Sequence, residues 1–240
     1  MNGWKQGWII FKRDLYTDRM YLIWSVVFMV YTGAMIAILI MGKEVSTGVF
    51  NPFVDFMLLL LIPLTGFYFS RRSFNYIKDD SYTKMLWYYR TLPILIDSVM
   101  KARVIQLLAA VAGNSLILYT TLYLASNFMR SNLGIGEMIV FAITWSGFAI
   151  FSNAFYIYFE LLASGRKYLW ITFVIMFSTA LFSVLSYLLN YSLFTSTISV
   201  SREYGLLSPY MWGTMVLGLL LLNVMTKVVG RRLSMRDLRQ

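Results

Sequence analysis

The strongest constraint on this chain is a stretch from Tyr21 to Gly42 that contains no charged residue over 22 positions. A helix rises about 1.5 Å per residue, so this stretch covers about 33 Å and crosses a hydrocarbon core of about 30 Å. Only 13% of the residues are charged, whereas a soluble domain carries about 25%. The chain is therefore predicted to be an all-α integral membrane protein.

This stretch is the first of six mostly apolar runs, which together predict one transmembrane domain over residues 1–240. In the second run, Pro63 is expected to kink or loosen the helix. Asp55, in the first turn of the same run, is expected to reach the lipid headgroups and to face the helix N-terminus. The six spans are predicted at about residues 21–42, 52–70, 104–126, 138–162, 168–190 and 209–229.

The distribution of lysine and arginine predicts the orientation. With six spans, both termini share one side, and that side holds 18 of the 21 basic residues. The other three are Lys43, Arg130 and Arg202. Because cytoplasmic loops carry the excess of basic residues, both termini and the segment 71–103 are predicted to be cytoplasmic. The same bias accounts for the net charge of +10, so no nucleic-acid partner is expected.

Residues 1–20 are predicted to form an amphipathic helix. Trp4, Trp8, Phe11 and Leu15 recur at helical spacing and share one face, while the basic residues lie elsewhere. Such a helix fits the membrane interface, with its apolar face toward the lipid. The alternative is a helix whose apolar face packs on the protein core. The interface is favoured because a span follows directly, and the bilayer is then a partner of this helix.

Residues 191–208 are rich in serine and threonine and too polar to span the membrane. Two interpretations remain open. The segment is either a short re-entrant or interfacial element or a plain loop.

The residue types present exclude several kinds of chemistry. The chain has no cysteine and no histidine, which excludes disulfides, thiolate nucleophiles and histidine-based metal sites. It also lacks the Gly-x-x-x-x-Gly-Lys-Ser/Thr pattern of a P-loop. No catalytic pair is evident, so an intramembrane enzyme is poorly supported, and we expect no cofactor or metal on this chain.

Glu160 lies one or two turns from the cytoplasmic end of the fourth predicted span. A structural pairing with Arg166 or Lys167 is favoured, and a role in transport or coupling is the alternative. Aromatic residues, among them Tyr68 and Tyr156, cluster at the same ends of the spans. Most are expected to form an interfacial belt, and a few could line a path for an amphipathic substrate.

The segment 71–103 holds seven of the 21 basic residues. Asp79, Asp80 and Ser81 are good N-cap residues, and Pro93 ends the helix that follows them. A second helix is expected to begin near Asp97 and to run into the third span. The first helix is rich in the residue types that dominate interface hot spots, which favours docking of a soluble partner over a helix lying flat on the headgroups. Its candidate docking residues are Lys84, Met85, Trp87, Tyr88 and Arg90.

Four short segments together resemble the ABC-type-2 permease family of ATP-binding-cassette exporters. TLPILIDSVMKAR at 91–103 is similar to the family's entry into the third span. FKRDLYTDRMYL at 11–22 is similar to its amphipathic start, and LSPYMWG at 207–213 and RRLSMRDL at 231–238 are similar to the lead-in and exit of its last span. The resemblance extends to the layout of six spans with a long cytoplasmic segment between the second and third.

The resemblance implies a transmembrane permease that exports an amphipathic or hydrophobic substrate (peptide, antibiotic or lipid) from the bacterial cytoplasm by alternating access. It implies residence in the bacterial cytoplasmic (inner) membrane and pairing with a second copy or a homologous permease. A separate ATP-binding-cassette ATPase would bind ATP and Mg²⁺. An energy-independent carrier or substrate-capture subunit is the alternative. The resemblance adds the coupling and second-contact positions Tyr82, Leu92, Pro93, Arg166 and Lys167.

Overall fold

A computed structural model describes residues 3–45, 47–69, 88, 91 and 95–235. All regular structure in these residues is helical. The helices are α1 (Gly3–Thr17), α2 (Arg19–Val45), α3 (Thr47–Leu61), α4 (Ile96–Ala125), α5 (Asn127–Asn132), α6 (Ile135–Leu162), α7 (Gly165–Leu188), α8 (Leu193–Tyr204) and α9 (Pro209–Met235), with 3₁₀ turns at Ile62–Gly66 and Gly205–Leu207.

Five described helices are long and apolar enough to cross a membrane: α2, α4, α6, α7 and α9. The chain is therefore a multi-pass membrane protein. The second predicted run, at 52–70, forms a different element. Its α-helix stops at Leu61, a 3₁₀ turn follows through Gly66, and residues 67–69 are non-helical.

Helix α6 lies at the centre of the bundle and contacts α4, α8, α9 and the 3₁₀ turn after α3. It approaches α9 closely where Gly147 faces Gly218. A β-carbon on Gly147 would lie 2.7 Å from the backbone nitrogen of Met215, and one on Gly218 would lie 2.7 Å from the Gly147 carbonyl. Small residues allow this approach, as at other helix crossings in membranes.

The outer helices leave broad apolar faces uncovered. Only 11% of the apolar window of α7 and 17% of that of α9 is buried in the bundle. Trp170 and Phe177 on α7 are each 71% exposed. In a membrane protein such faces contact lipid or another chain, so their exposure agrees with the membrane assignment.

The two ends of the bundle differ in composition. One end, here called the basic end, holds α1, the starts of α2, α4 and α7, and the ends of α6 and α9. The opposite end, here called the distal end, holds α5, α8 and the start of α3. At the distal end α3 and α7 meet, where the Ser183 hydroxyl donates to the Pro52 carbonyl.

The serine- and threonine-rich segment 191–208 is mostly helical, so the plain-loop interpretation was wrong. Ser192 is the N-cap of α8 and accepts a hydrogen bond from the backbone N–H of Thr195 at 3.4 Å. The helix ends at Tyr204, and the C-cap residue Gly205 has a φ of 50°, which favours a residue without a β-carbon. Its buried face, with Phe194 fully covered, packs on α6.

Candidate functional site

At the basic end, α1 lies across the first two turns of α4. The Ser98 hydroxyl donates to the Gln6 side-chain oxygen at 2.6 Å, and the Lys101 ammonium lies 5.6 Å from the centre of the Trp4 ring. A β-carbon on Gly7 would lie 3.0 Å from the backbone nitrogen of Ala102, so the two helices are in close contact there. α1 and the start of α4 therefore form one packed unit.

The predicted apolar face of α1 is not its buried face. Phe11 is buried as a packing residue, but Trp4 and Trp8 are 51% and 54% exposed, and Leu15 is half-buried. The face against α4 is formed by Gly7, Ile10, Phe11 and Asp14. The helix thus packs on protein with one face and leaves both tryptophans outside, where an interfacial helix has its lipid contacts.

An ion pair joins the start of α4 to the end of α6. The Arg103 guanidinium contacts the Glu160 carboxylate, and the two side chains are 13% and 5% exposed. The prediction that Glu160 pairs with Arg166 or Lys167 was wrong. Both of those side chains are exposed in the first turn of α7. A buried charge needs a close opposite charge, and the fold brings Arg103 to Glu160.

The interrupted second apolar run is held by two buried asparagines that sequence reasoning missed. Asn114 of α4 donates to the carbonyl oxygens of Thr65 and Phe67 at 2.9 and 2.7 Å. Asn153 of α6 donates to the Pro63 carbonyl at 2.7 Å. A helix that stops within apolar surroundings leaves carbonyl groups without hydrogen-bond donors. The side-chain amides of Asn114 and Asn153 supply those donors. The signal available in the sequence was the single asparagine in each of two apolar spans, Asn114 and Asn153.

The two aromatic candidates for a substrate path lie beside this interruption. Tyr156 packs edge-on against Phe67, with ring centres 5.7 Å apart, and against Tyr168 at 6.4 Å. Tyr68 is 9% exposed. The backbone N–H of Phe69 donates to the Ser25 hydroxyl at 2.8 Å, which ties the same segment to α2. Both tyrosines therefore pack at the basic end.

A lateral groove of about 580 Å³ runs between α4 and α6. Its walls are mostly apolar. The Ser146 hydroxyl lies 3.1 Å from that of Ser115 and donates to the Ala142 carbonyl at 2.7 Å. The groove is lined by Leu108, Val111, Ser115, Leu116, Tyr119, Met138, Ile139, Ser146 and Ile150, among others.

At the distal end, Asp55 caps α8 instead of reaching headgroups. It is 1% exposed. Its carboxylate accepts hydrogen bonds from the backbone N–H groups of Leu193 at 2.9 Å and Phe194 at 2.8 Å, and from the Ser192 hydroxyl at 3.2 Å. A carboxylate at a helix N-terminus satisfies free N–H groups and complements the helix dipole. This contact fastens α3 to α8.

Most predicted docking residues lie outside the described residues: Tyr82, Lys84, Met85, Trp87, Arg90, Leu92 and Pro93. Tyr88 is described and is 54% exposed. The second predicted contact, Arg166 and Lys167, is exposed at the basic end, beside the aromatic contact of Tyr168 with Tyr156.

Comparison of the chain with family models, with curated proteins and with solved structures finds no match. The resemblance to ABC-type-2 permeases therefore stays a prediction from the sequence.

Proposed function

We propose that this chain is the permease subunit of an ATP-driven exporter. The observation that carries the proposal is the connected path at the basic end. α1 packs on the start of α4, and the buried Arg103–Glu160 pair joins that start to α6. A force applied at the entry to α4 would therefore act on both helices that line the lateral groove.

The charged segment 71–94 precedes α4 directly in the sequence. In the proposed mechanism, a soluble ATPase subunit binds this segment and the exposed pair Arg166 and Lys167. The ATPase binds ATP and Mg²⁺, and its closure moves the segment. α1 and α4 follow as one unit, α6 follows through the ion pair, and the groove changes its accessibility from one side of the membrane to the other.

The proposed topology has six crossing segments with both termini in the cytoplasm of a bacterial cell. Five are the long helices. The sixth combines the 15 residues of α3 with the five of the 3₁₀ turn, about 22 Å and about 10 Å long at the usual rises per residue. Their sum of about 32 Å is enough for a hydrocarbon core of about 30 Å. The basic end is then the cytoplasmic end, which agrees with the bias of basic residues.

The proposed substrate is amphipathic. The groove between α4 and α6 offers a long apolar wall with a few hydroxyl groups, those of Ser115 and Ser146 and of Tyr119, Thr120 and Tyr123. An apolar pocket with few polar groups favours a hydrophobic molecule that carries a small number of hydrogen-bonding groups. A second copy of the chain, packed through the exposed faces of the outer helices, would complete the transport path.

The experiment separates α1 from α4 while leaving both helices intact. Gly7→Val places side-chain atoms against the backbone of Ser98 and Ala102, which lie 3.2 and 3.0 Å from an added β-carbon. Transport is measured in vesicles that contain the permease and its ATPase, with and without ATP. The matched control is Gly113→Ala in α4, because an added β-carbon there meets no atom within 4 Å.

We expect Gly7→Val to keep ATP hydrolysis but to lose most ATP-driven transport, and Gly113→Ala to keep both. Undiminished ATP-driven transport by Gly7→Val would refute the coupling path. Wild-type transport that proceeds equally well without ATP would replace the proposal with the energy-independent carrier.

A further inference from the structure

A second crevice, of about 670 Å³, lies at the basic end between α4 and α9. Its floor is apolar and includes Met100 and Val104 of α4 and Leu222 of α9. Met100 and Leu222 are 4% and 3% exposed. The crevice is separate from the interruption at Pro63 and from the cap at Asp55. It meets the lateral groove only at Leu108, which lines both.

The crevice has the length of one membrane leaflet. On α4 its lining runs from Ile96 to Leu108, and on α9 from Leu219 to Arg231. Each is a rise of twelve residues, or about 18 Å. One leaflet contributes about half of a hydrocarbon core of about 30 Å. An acyl chain lying along the helices would therefore be covered over most of its length.

The polar groups are confined to the basic end of the crevice. Lys227 and Arg231 are four residues apart on α9 and so share one face. Lys101 lines the crevice from α4, and its ammonium group lies over the ring of Trp4. The acidic side chain among the lining residues is Asp97, which lies 2.6 Å from Lys101 and is 64% exposed. Of the lining residues that the structure describes, three carry a positive charge and one carries a negative charge.

We propose that this crevice binds one anionic phospholipid. The headgroup phosphate lies between Lys227 and Arg231, and one acyl chain lies over Met100, Val104 and Leu222. Basic pockets between membrane helices suit anionic headgroups, and Trp4 lies at the level where aromatic side chains meet the membrane interface. The proposal depends on the membrane assignment and not on the exporter function.

The experiment measures lipid retention by the full-length chain with native mass spectrometry. Three probes are compared: phosphatidylglycerol, phosphatidylcholine and inorganic phosphate. The charge variant is Lys227→Gln with Arg231→Gln. Its matched control is Arg166→Gln with Lys167→Gln, which removes the same charge at the same end but from α7, outside the crevice.

A second variant fills the crevice without changing charge. A β-carbon on Gly230 would lie 3.7 Å from Cγ of Met100, which is ordinary contact, so the longer side chain of Gly230→Leu extends into the crevice. Thermal unfolding of every variant is recorded beside lipid retention. A variant that unfolds at the wild-type temperature then reports on binding alone.

We expect the wild type to retain phosphatidylglycerol in preference to phosphatidylcholine and to bind inorganic phosphate far more weakly. The charge variant should lose about thirty-fold in phosphatidylglycerol affinity, because each of its two cations contributes roughly a fivefold gain, about 1 kcal/mol. The control pair should change it little, and Gly230→Leu should reduce it at unchanged charge. Each of four results would overturn the proposal. The first two are equal retention of both lipids and an equal loss of affinity in the Arg166→Gln, Lys167→Gln control. The other two are binding of inorganic phosphate as tight as that of lipid and a Gly230→Leu variant that loses self-association between copies of the chain but keeps its lipid.

Discussion

The ion pair between α4 and α6 gives the sharpest prediction about stability. Glu160→Gln keeps the size of the side chain and removes the carboxylate from the Arg103 guanidinium. The two side chains are 13% and 5% exposed, so the charge left on Arg103 is largely shielded from water. Removing one partner of a buried pair costs about 3–5 kcal/mol, because the remaining charge loses the opposite charge of that partner.

The expected effect is large enough to measure by thermal unfolding in detergent. For a chain of this size, 1 kcal/mol shifts the midpoint by about 2–4 °C, so Glu160→Gln should lower it on the order of 10 °C. The matched control is Asp97→Asn, which breaks a second ion pair of α4, that with Lys101. That pair is 25% and 64% exposed, and exposed pairs contribute about 0.2–1 kcal/mol, which predicts a shift below about 4 °C.

A double variant separates pairing from packing. Arg103→Met combined with Glu160→Leu replaces both charges with apolar groups, and such replacements of a buried pair are often neutral or stabilising. We expect the double variant to be more stable than Glu160→Gln. A Glu160→Gln midpoint equal to that of Asp97→Asn would refute this stabilising role of the ion pair. So would a double variant whose loss of stability is simply the sum of the losses from replacing Arg103 and Glu160 separately.

Other contacts give further predictions. Asp55→Ala leaves the first two amides of α8 without their acceptor, so hydrogen exchange there should accelerate at least tenfold while exchange in α4 stays unchanged. Unchanged exchange in α8 would contradict the cap. Asn153→Leu and Asn114→Leu leave buried carbonyl groups unpaired, and each should lower stability by about 1–3 kcal/mol. The exposed Ser178→Ala is the control, and a midpoint equal to that control would show that the asparagines do not hold the interruption.

The long helices were predictable from sequence because membrane crossing depends on length and composition alone. Five of the six predicted spans coincide with helices that are long and apolar enough. α4 begins at Ile96, next to the predicted start at Asp97. α9 begins at Pro209, a residue suited to the first position of a helix.

The shape of the second apolar run could be predicted only in part. Pro63 indicated a disturbance, because it lacks an N–H group and fixes its backbone angle. The form of the interruption depends on Asn114 and Asn153, which lie 49 and 90 positions away from the carbonyls of Thr65 and Pro63. A single local pattern does not contain such contacts.

The packing face of α1 could not be read from hydrophobicity. In a soluble protein an apolar face is turned toward the core, but in a membrane protein it can be turned toward lipid or toward another helix. Trp4 and Trp8 are exposed, while the polar residue Asp14 lies in the buried face. The partner of Glu160 was missed for a related reason, since Arg103 lies 57 positions away and Arg166 only six.

The most direct test of the central claim is ATP hydrolysis by the complex purified from membranes that contain this chain and its natural partners. We expect the wild-type chain to carry an ATPase subunit with it, with hydrolysis that requires Mg²⁺. Trp87→Ala combined with Arg90→Glu should abolish that association while the chain keeps its wild-type unfolding midpoint. A wild-type chain with no associated ATP hydrolysis, or a double variant that retains it in full, would contradict the account.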